Sequence, residues 1–138
     1  DRKELKKGIK NGSGDCIASQ HQQEDWDNKV CEVEYAKNGM EGVESVFGVS
    51  RICGMSAEKF VKMQTENIRN IFNVDIPSIN KGEKANITLF TPDDEYVFEE
   101  KNIFSKCRNN AFIGKTLKGK VIGIINGDKL CLSEGLIT

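Results

Sequence analysis

The feature that most constrains the fold lies near the end of the chain. A run rich in β-branched residues, Lys118–Ile125, and a short apolar run, Lys129–Leu132, flank Asn126-Gly127-Asp128. Asn-Gly between such runs is a strong hairpin signal, because glycine accepts the positive φ that a tight turn demands. The sequence predicts a type I′ turn over Ile125–Asp128. Upstream, Ala85–Phe90 and Tyr96–Phe98 read as two further strands, separated by the turn sequence Thr91-Pro92-Asp93-Asp94. Residues 84–132 are therefore expected to be all-β and antiparallel.

The first half reads differently. Residues 2–10 form a short helix, with Leu5 and Ile9 four apart, and Asn11-Gly12-Ser13-Gly14 stops it. Cys16-Ile17-Ala18 is apolar without alternation, which predicts a buried parallel strand. Helix, Gly-rich turn and buried strand is the rhythm of an α/β fold. Gln20 to Asn38 is polar and lacks periodicity, and loops of that length are often functional. It holds the single His21, the single Trp26, and Tyr35. Trp26 and Tyr35 are expected to pack this loop, with the lining of a pocket as the alternative. Met40–Ile52 reads as a helix with Met40, Val43, Val46 and Phe47 on one side. Ser56 is the expected N-cap of a helix through Gln64, with Phe60 and Met63 inward. Glu66–Phe72 reads as another short helix.

Charge narrows the classes of partner. The 20 Lys+Arg nearly balance the 21 Asp+Glu, so no basic surface for nucleic acid is expected. Apolar runs such as Val121–Ile125 are too short to span a bilayer. The charged start, Asp1–Lys7, has no apolar core of a signal peptide, so a cytoplasmic location is expected. Cysteines 16, 31, 53, 107 and 131 include no Cys-x-x-Cys pair. Neither a zinc knuckle nor a redox motif is expected, and the thiols read as reduced.

Five segments, in order and in register, resemble dihydroorotases of the amidohydrolase superfamily. Ser13–Gln23, SGDCIASQHQQ, resembles the end of that family's eighth barrel strand, x-I-D-V-I-A-T-D-H-A-P-H. Glu34–Ser45, EYAKNGMEGVES, is similar to A-P-x-G-I-x-G-L-E-T. Thr65–Phe72 is similar to T-x-N-P-A-R-I-F, and Lys81–Phe90 to K-E-G-A-D-A-D-L-T-L-F. Ser105–Gly127 is similar to the tail S-K-S-K-N-T-P-F-I-G-x-x-L-K-G-x-V-x-x-T-I-x-x-G.

The resemblance implies an α/β fold of two parts. Residues 1–83 would be the last strand and helices of a (β/α)8 barrel. Residues 84–138 would be the C-terminal antiparallel strands of the accompanying β-sandwich. The implied activity is the zinc-dependent interconversion of dihydroorotate and N-carbamoyl-aspartate in pyrimidine biosynthesis. The family's zinc is held by an H-x-H pair, a carboxylated lysine, two further His and an Asp. This chain has one His, so no zinc is expected to be bound by it alone.

The implied site residues depart from the family pattern. Gln20 stands at the catalytic Asp position, where the chemistry needs a base and a neutral amide supplies none. Glu24 stands where the family has a His that faces the substrate carboxylate. Ala36-Lys37-Asn38-Gly39 replaces A-P-x-G, so Asn38 and Gly39 are the implied substrate-binding positions. His21 reads as a hydrogen-bonded structural residue and Glu44 as a buried hydrogen-bonded one. The implied partners are the rest of a longer chain, a small-molecule substrate, a homo-oligomer and aspartate carbamoyltransferase. The alternatives are an inactive homologue that scaffolds a pyrimidine-pathway partner, and another cyclic amidohydrolase such as a hydantoinase or allantoinase.

Overall fold

A computed structural model describes residues 1–133 and 135–137. Among the described residues, four α-helices precede a four-stranded sheet. The helices are α1 (Arg2–Asn11), α2 (Val46–Ile52), α3 (Ala57–Gln64) and α4 (Glu66–Phe72). The strands are β1 (Asn86–Val97), β2 (Thr116–Asn126), β3 (Lys129–Leu132) and β4 (Gly135–Ile137). Helix ends follow local chemistry. Asp1 caps α1 by accepting from the Lys3 N–H at 3.0 Å, and Ser56 caps α3 by accepting from the Lys59 N–H at 3.2 Å.

The strands pair antiparallel in the order β1-β2-β3-β4. Phe98, Ile103 and Leu117 form the buried centre, with Val49, Tyr96, Phe112 and Ile113 packed around it. Helix α2 lies on β2. Gly119 permits that approach, because a Cβ there would sit 2.7 Å from the Phe47 ring and its φ is +87°. Phe47 in turn packs against Phe60 of α3 and Phe90 of β1, with ring centroids 5.0 and 5.1 Å away. One aromatic from α2 thus joins helices to sheet.

Four sequence expectations are corrected. Cys16-Ile17-Ala18 is not a strand; the segment is irregular. A parallel strand needs neighbours to share its hydrogen bonds. Among the described residues, this region offers only an isolated parallel bridge from His21 to Met40. The expected helix Met40–Ile52 starts only at Val46, because residues 40–45 bond to other segments, as described below. Ala85–Phe90 and Tyr96–Phe98 are not separate strands. They merge into β1, whose register against β2 shifts between Thr91 and Glu95. The intervening Pro92-Asp93 is held by Arg51, which donates to the Pro92 carbonyl and to Asp93 at 3.1 Å each.

The fourth correction concerns the hairpin turn. Asn126 pairs with Lys129, so the two loop residues are Gly127 and Asp128. Gly127 has φ +65°, whereas Asp128 has no positive φ. Positive φ at the first loop position alone is the type II′ pattern; type I′ needs it at both. The hairpin is as expected, one residue further on.

Candidate functional site

Three segments that sequence separates meet beside α2. The first carries His21, the second runs from Ala36 to Ser45, and the third from Phe104 to Asn110. The Gln22 N–H donates to the Met40 carbonyl at 3.0 Å, and the Glu41 N–H to the Asn109 carbonyl at 2.9 Å. The Asn109 side chain donates to the Gly39 carbonyl at 3.0 Å. The Lys29 ammonium donates to the same carbonyl at 2.7 Å and also to that of Lys37. These bonds consume the backbone that the sequence suggested was helical.

His21 accepts at Nδ1 from the N–H groups of Gly42 and Val43, at 3.2 and 3.4 Å. Its Nδ1 lone pair is therefore engaged, and a neutral ring carries its proton on Nε2. Nδ1 also lies 3.7 Å from Glu41 Oε1.

Two carboxyl groups complete the cluster. Glu41 is fully buried. Its Oε2 accepts from the Asn110 side-chain amide at 2.8 Å, and its Oε1 from the Glu44 N–H at 3.2 Å. Glu44 Oε1 accepts from Phe104 N, Ser105 N and Ser105 Oγ, at 3.2, 2.8 and 2.7 Å. Glu44 Oε2 is buried without a partner. Burial pushes Glu41 above the ordinary glutamate range, and the neighbouring Glu44 carboxyl adds to the rise. Burial also acts upward on Glu44, but the neighbouring Glu41 carboxyl and the hydrogen bonds from Ser105 outweigh it and hold Glu44 at about 2.

The positions singled out from sequence lie around this cluster. Gln20 is exposed and has a positive φ of 52°, an unusual conformation for a residue other than glycine. Glu24 is half-buried; it accepts from Asn28 Nδ2 at 3.0 Å and Gln22 Nε2 at 3.4 Å, and lies 3.9 Å from the Lys37 ammonium. Asn38 is exposed. Gly39 offers its carbonyl to Lys29 and Asn109 as above. Glu24, Trp26, Lys37, Arg108 and Asn109 line an open cavity of about 720 Å³. Trp26 and Tyr35 are exposed rather than packed, which corrects the expectation for the loop. His21 and Glu44 are hydrogen-bonded, as the sequence reading had them. Glu41, Ser105 and Asn110 were missed. A charged residue at position 41, inside a stretch read as amphipathic helix, gave no sign of full burial.

His21, Glu41 and Glu44 each place a potential metal-ligand atom within 4.8 Å of the others. The donor accounting does not fit zinc. His21 Nδ1 is turned to two backbone N–H groups, Glu44 Oε1 to three donors, Glu41 Oε2 to Asn110 and Glu41 Oε1 to the Glu44 N–H, which leaves Glu44 Oε2 as the one carboxylate oxygen of the group without a donor. A catalytic zinc site needs three ligand lone pairs free to converge, with a fourth position open.

No family model matches the chain. Similar proteins are nonetheless plain. The chain is 36% identical to a dihydroorotase of Aquifex aeolicus over 138 residues, which is 97% of this chain and 32% of that protein. It is 30% identical to a dihydroorotase of Caldicellulosiruptor saccharolyticus, over 99% of this chain and 33% of that one. The chain is a dihydroorotase relative. It spans about a third of the length of these dihydroorotases. Solved structures agree on the fold. An L-hydantoinase (dihydropyrimidinase) from Arthrobacter aurescens superposes with a TM-score of 0.79 at 17% identity, over 97% of this chain and 32% of that one. A D-hydantoinase (dihydropyrimidinase) from Thermus sp. superposes with a TM-score of 0.81 at 16% identity, over 98% and 32%. At such identity the likeness speaks for the amidohydrolase fold alone, matched over a C-terminal portion. No helix among the described residues is long and apolar enough to cross a membrane.

Proposed function

We propose that these residues are the C-terminal portion of a dihydroorotase-like cyclic amidohydrolase of pyrimidine biosynthesis, acting on dihydroorotate or, in reverse, on N-carbamoyl-aspartate. The observation that carries this reading is the 36% identity to a dihydroorotase over 97% of the chain. In this reading residues 1–83 complete the barrel and residues 84–138 contribute to the sandwich. The family's zinc is then held by residues outside this segment, because hydrogen bonds engage His21 Nδ1, both Glu41 oxygens and Glu44 Oε1, and Glu44 Oε2 alone falls short of the three ligands such a zinc needs. Gln20, Glu24, Asn38 and Gly39 face the substrate. The protein works in the cytoplasm as a homo-oligomer, and aspartate carbamoyltransferase is its candidate partner.

Two observations favour the second reading, an inactive homologue kept for assembly. Gln20 has no basicity, and the neighbouring Glu24 is tied to Lys37 and Asn28. Hydrolysis assays on the full-length protein with dihydroorotate and with a hydantoin separate the readings. Turnover of dihydroorotate above hydantoin supports the first. Turnover of neither supports the second, and preference for hydantoin overturns the substrate assignment.

A further inference from the structure

We propose that Glu41 and Glu44 share one proton at neutral pH, carried by Glu41, and that this proton latches the 39–45 turn to the 104–110 segment. The argument is one of charge and hydrogen-bond accounting. Glu41 is fully buried, and Glu44 Oε2 is a buried acceptor with no donor. If both groups were ionised, two adjacent anions would sit in a poorly solvated site, which is costly. The Glu44 oxygen would also stay unsatisfied, at the cost of a buried, unbonded polar atom. A protonated Glu41 that donates to Glu44 removes both problems.

The surroundings say which carboxyl keeps the proton. Glu44 Oε1 receives three donors, two of them backbone N–H groups of the opposite segment, and that is the environment of a carboxylate. Glu41 has the Asn110 amide and one N–H. The other groups that face the pair supply no fixed positive charge. His21 points its unprotonated Nδ1 toward Glu41, while Ser45, Ser105 and Asn110 are neutral. On the 104–110 segment, Lys106 and Arg108 are exposed, and Arg108 lies by Glu100 at 3.9 Å. The proton therefore does the work that a cation would do elsewhere. When it leaves for solvent at higher pH, Glu41 and Glu44 repel each other within the 39–45 turn, and this loosens the turn whose two carboxyls accept from Phe104, Ser105 and Asn110.

The test is infrared spectroscopy of the full-length protein, wild type minus Glu41→Gln, through the carbonyl stretch of a protonated carboxyl group. The expected difference spectrum at pH 7 contains one such band, which disappears as the pH rises. Glu44→Gln removes the neighbouring anion, so the Glu41 band should vanish at a lower pH in that variant. No band in the wild type, or one that persists in Glu41→Gln, overturns the proposal. If Glu41→Gln fails to fold, the wild-type titration and the Glu44→Gln shift still decide it, and a band whose titration Glu44→Gln does not move overturns it. The latch is read by amide exchange at Glu44, Phe104 and Ser105, corrected for the intrinsic effect of pH. Protection should fall with loss of the band; protection unchanged across that step overturns the latch.

Discussion

The side-chain nitrogen of Asn110 reaches three oxygens: Glu41 Oε2 at 2.8 Å, the Glu41 carbonyl at 2.9 Å and Ser45 Oγ at 3.0 Å. All three residues are buried. Truncation to Ala leaves buried acceptors unsatisfied, which costs about 1–3 kcal/mol. Asn110→Ala should therefore lower the urea midpoint of the full-length protein. A change within error of zero would mean that this contact does not hold the turn.

The carboxyl pair gives stability a dependence on pH with two signs. Glu44 is held at about 2, below its ordinary 4.5. Its contribution is present above pH 4.5 and is lost as pH falls from 4.5 toward 2. Glu41 is raised. Its contribution is present below pH 4.5 and is lost as pH rises through its elevated value. Unfolding midpoints measured across pH should decline on both sides of a maximum. Glu41→Gln should flatten the decline on the alkaline side, and Glu44→Gln part of that on the acid side. Profiles identical to the wild type would contradict the assignment.

The hairpin turn depends on one backbone angle. Gly127 has φ +65°, a region that costs a residue with a Cβ about 1–2 kcal/mol. Its would-be Cβ lies 3.1 Å from the end of the flexible Lys84 side chain, so the backbone sets the cost more than the space does. Gly127→Val should lower the melting temperature, while Asp128→Val, at a position without positive φ, should matter less. Equal effects would contradict the type II′ assignment.

Hydrogen-bonded lone pairs make poor metal ligands. His21→Ala and Glu41→Gln should leave the zinc content of the full-length protein unchanged, measured by elemental analysis after dialysis. Loss of a stoichiometric zinc in either variant would show that the cluster is a metal centre.

Local chemistry was legible in the sequence where it acts alone. Asp1 and Ser56 cap their helices, and the run from Lys118 to Leu132 makes its hairpin, because each signal involves near neighbours. Strand Cys16–Ala18 failed for the opposite reason: a parallel strand is defined by partners distant in the chain. Helix 40–52 lost its first turn because the Met40 and Glu41 carbonyls accept from Gln22 N–H and Asn110 Nδ2, and the Glu44 N–H donates to Glu41 Oε1 instead of closing a helical turn, and no local pattern reveals those partners. Glu44 was foreseen as a hydrogen-bonded acceptor, and it is one, although the residue is half-buried. Its neighbour Glu41 and the donors Ser105 and Asn110 were not, since their roles exist only once residues some 65 positions apart are brought together.

In the proposed reading, Gln20 stands at the position of the catalytic base of a cyclic amidohydrolase that acts on dihydroorotate. The most direct measurement is dihydroorotate hydrolysis by the full-length protein, as wild type, Gln20→Asp and Gln20→Asp/Glu24→His. General-base catalysis is worth about 10²–10⁴-fold, so turnover should be low in the wild type and rise by about that factor on Gln20→Asp. The Glu24→His change should add less, because Lys37 and Asn28 already engage that carboxylate. High wild-type turnover that Gln20→Asp leaves unchanged would contradict the placement of Gln20, and no turnover in any of the three would contradict the enzyme reading itself.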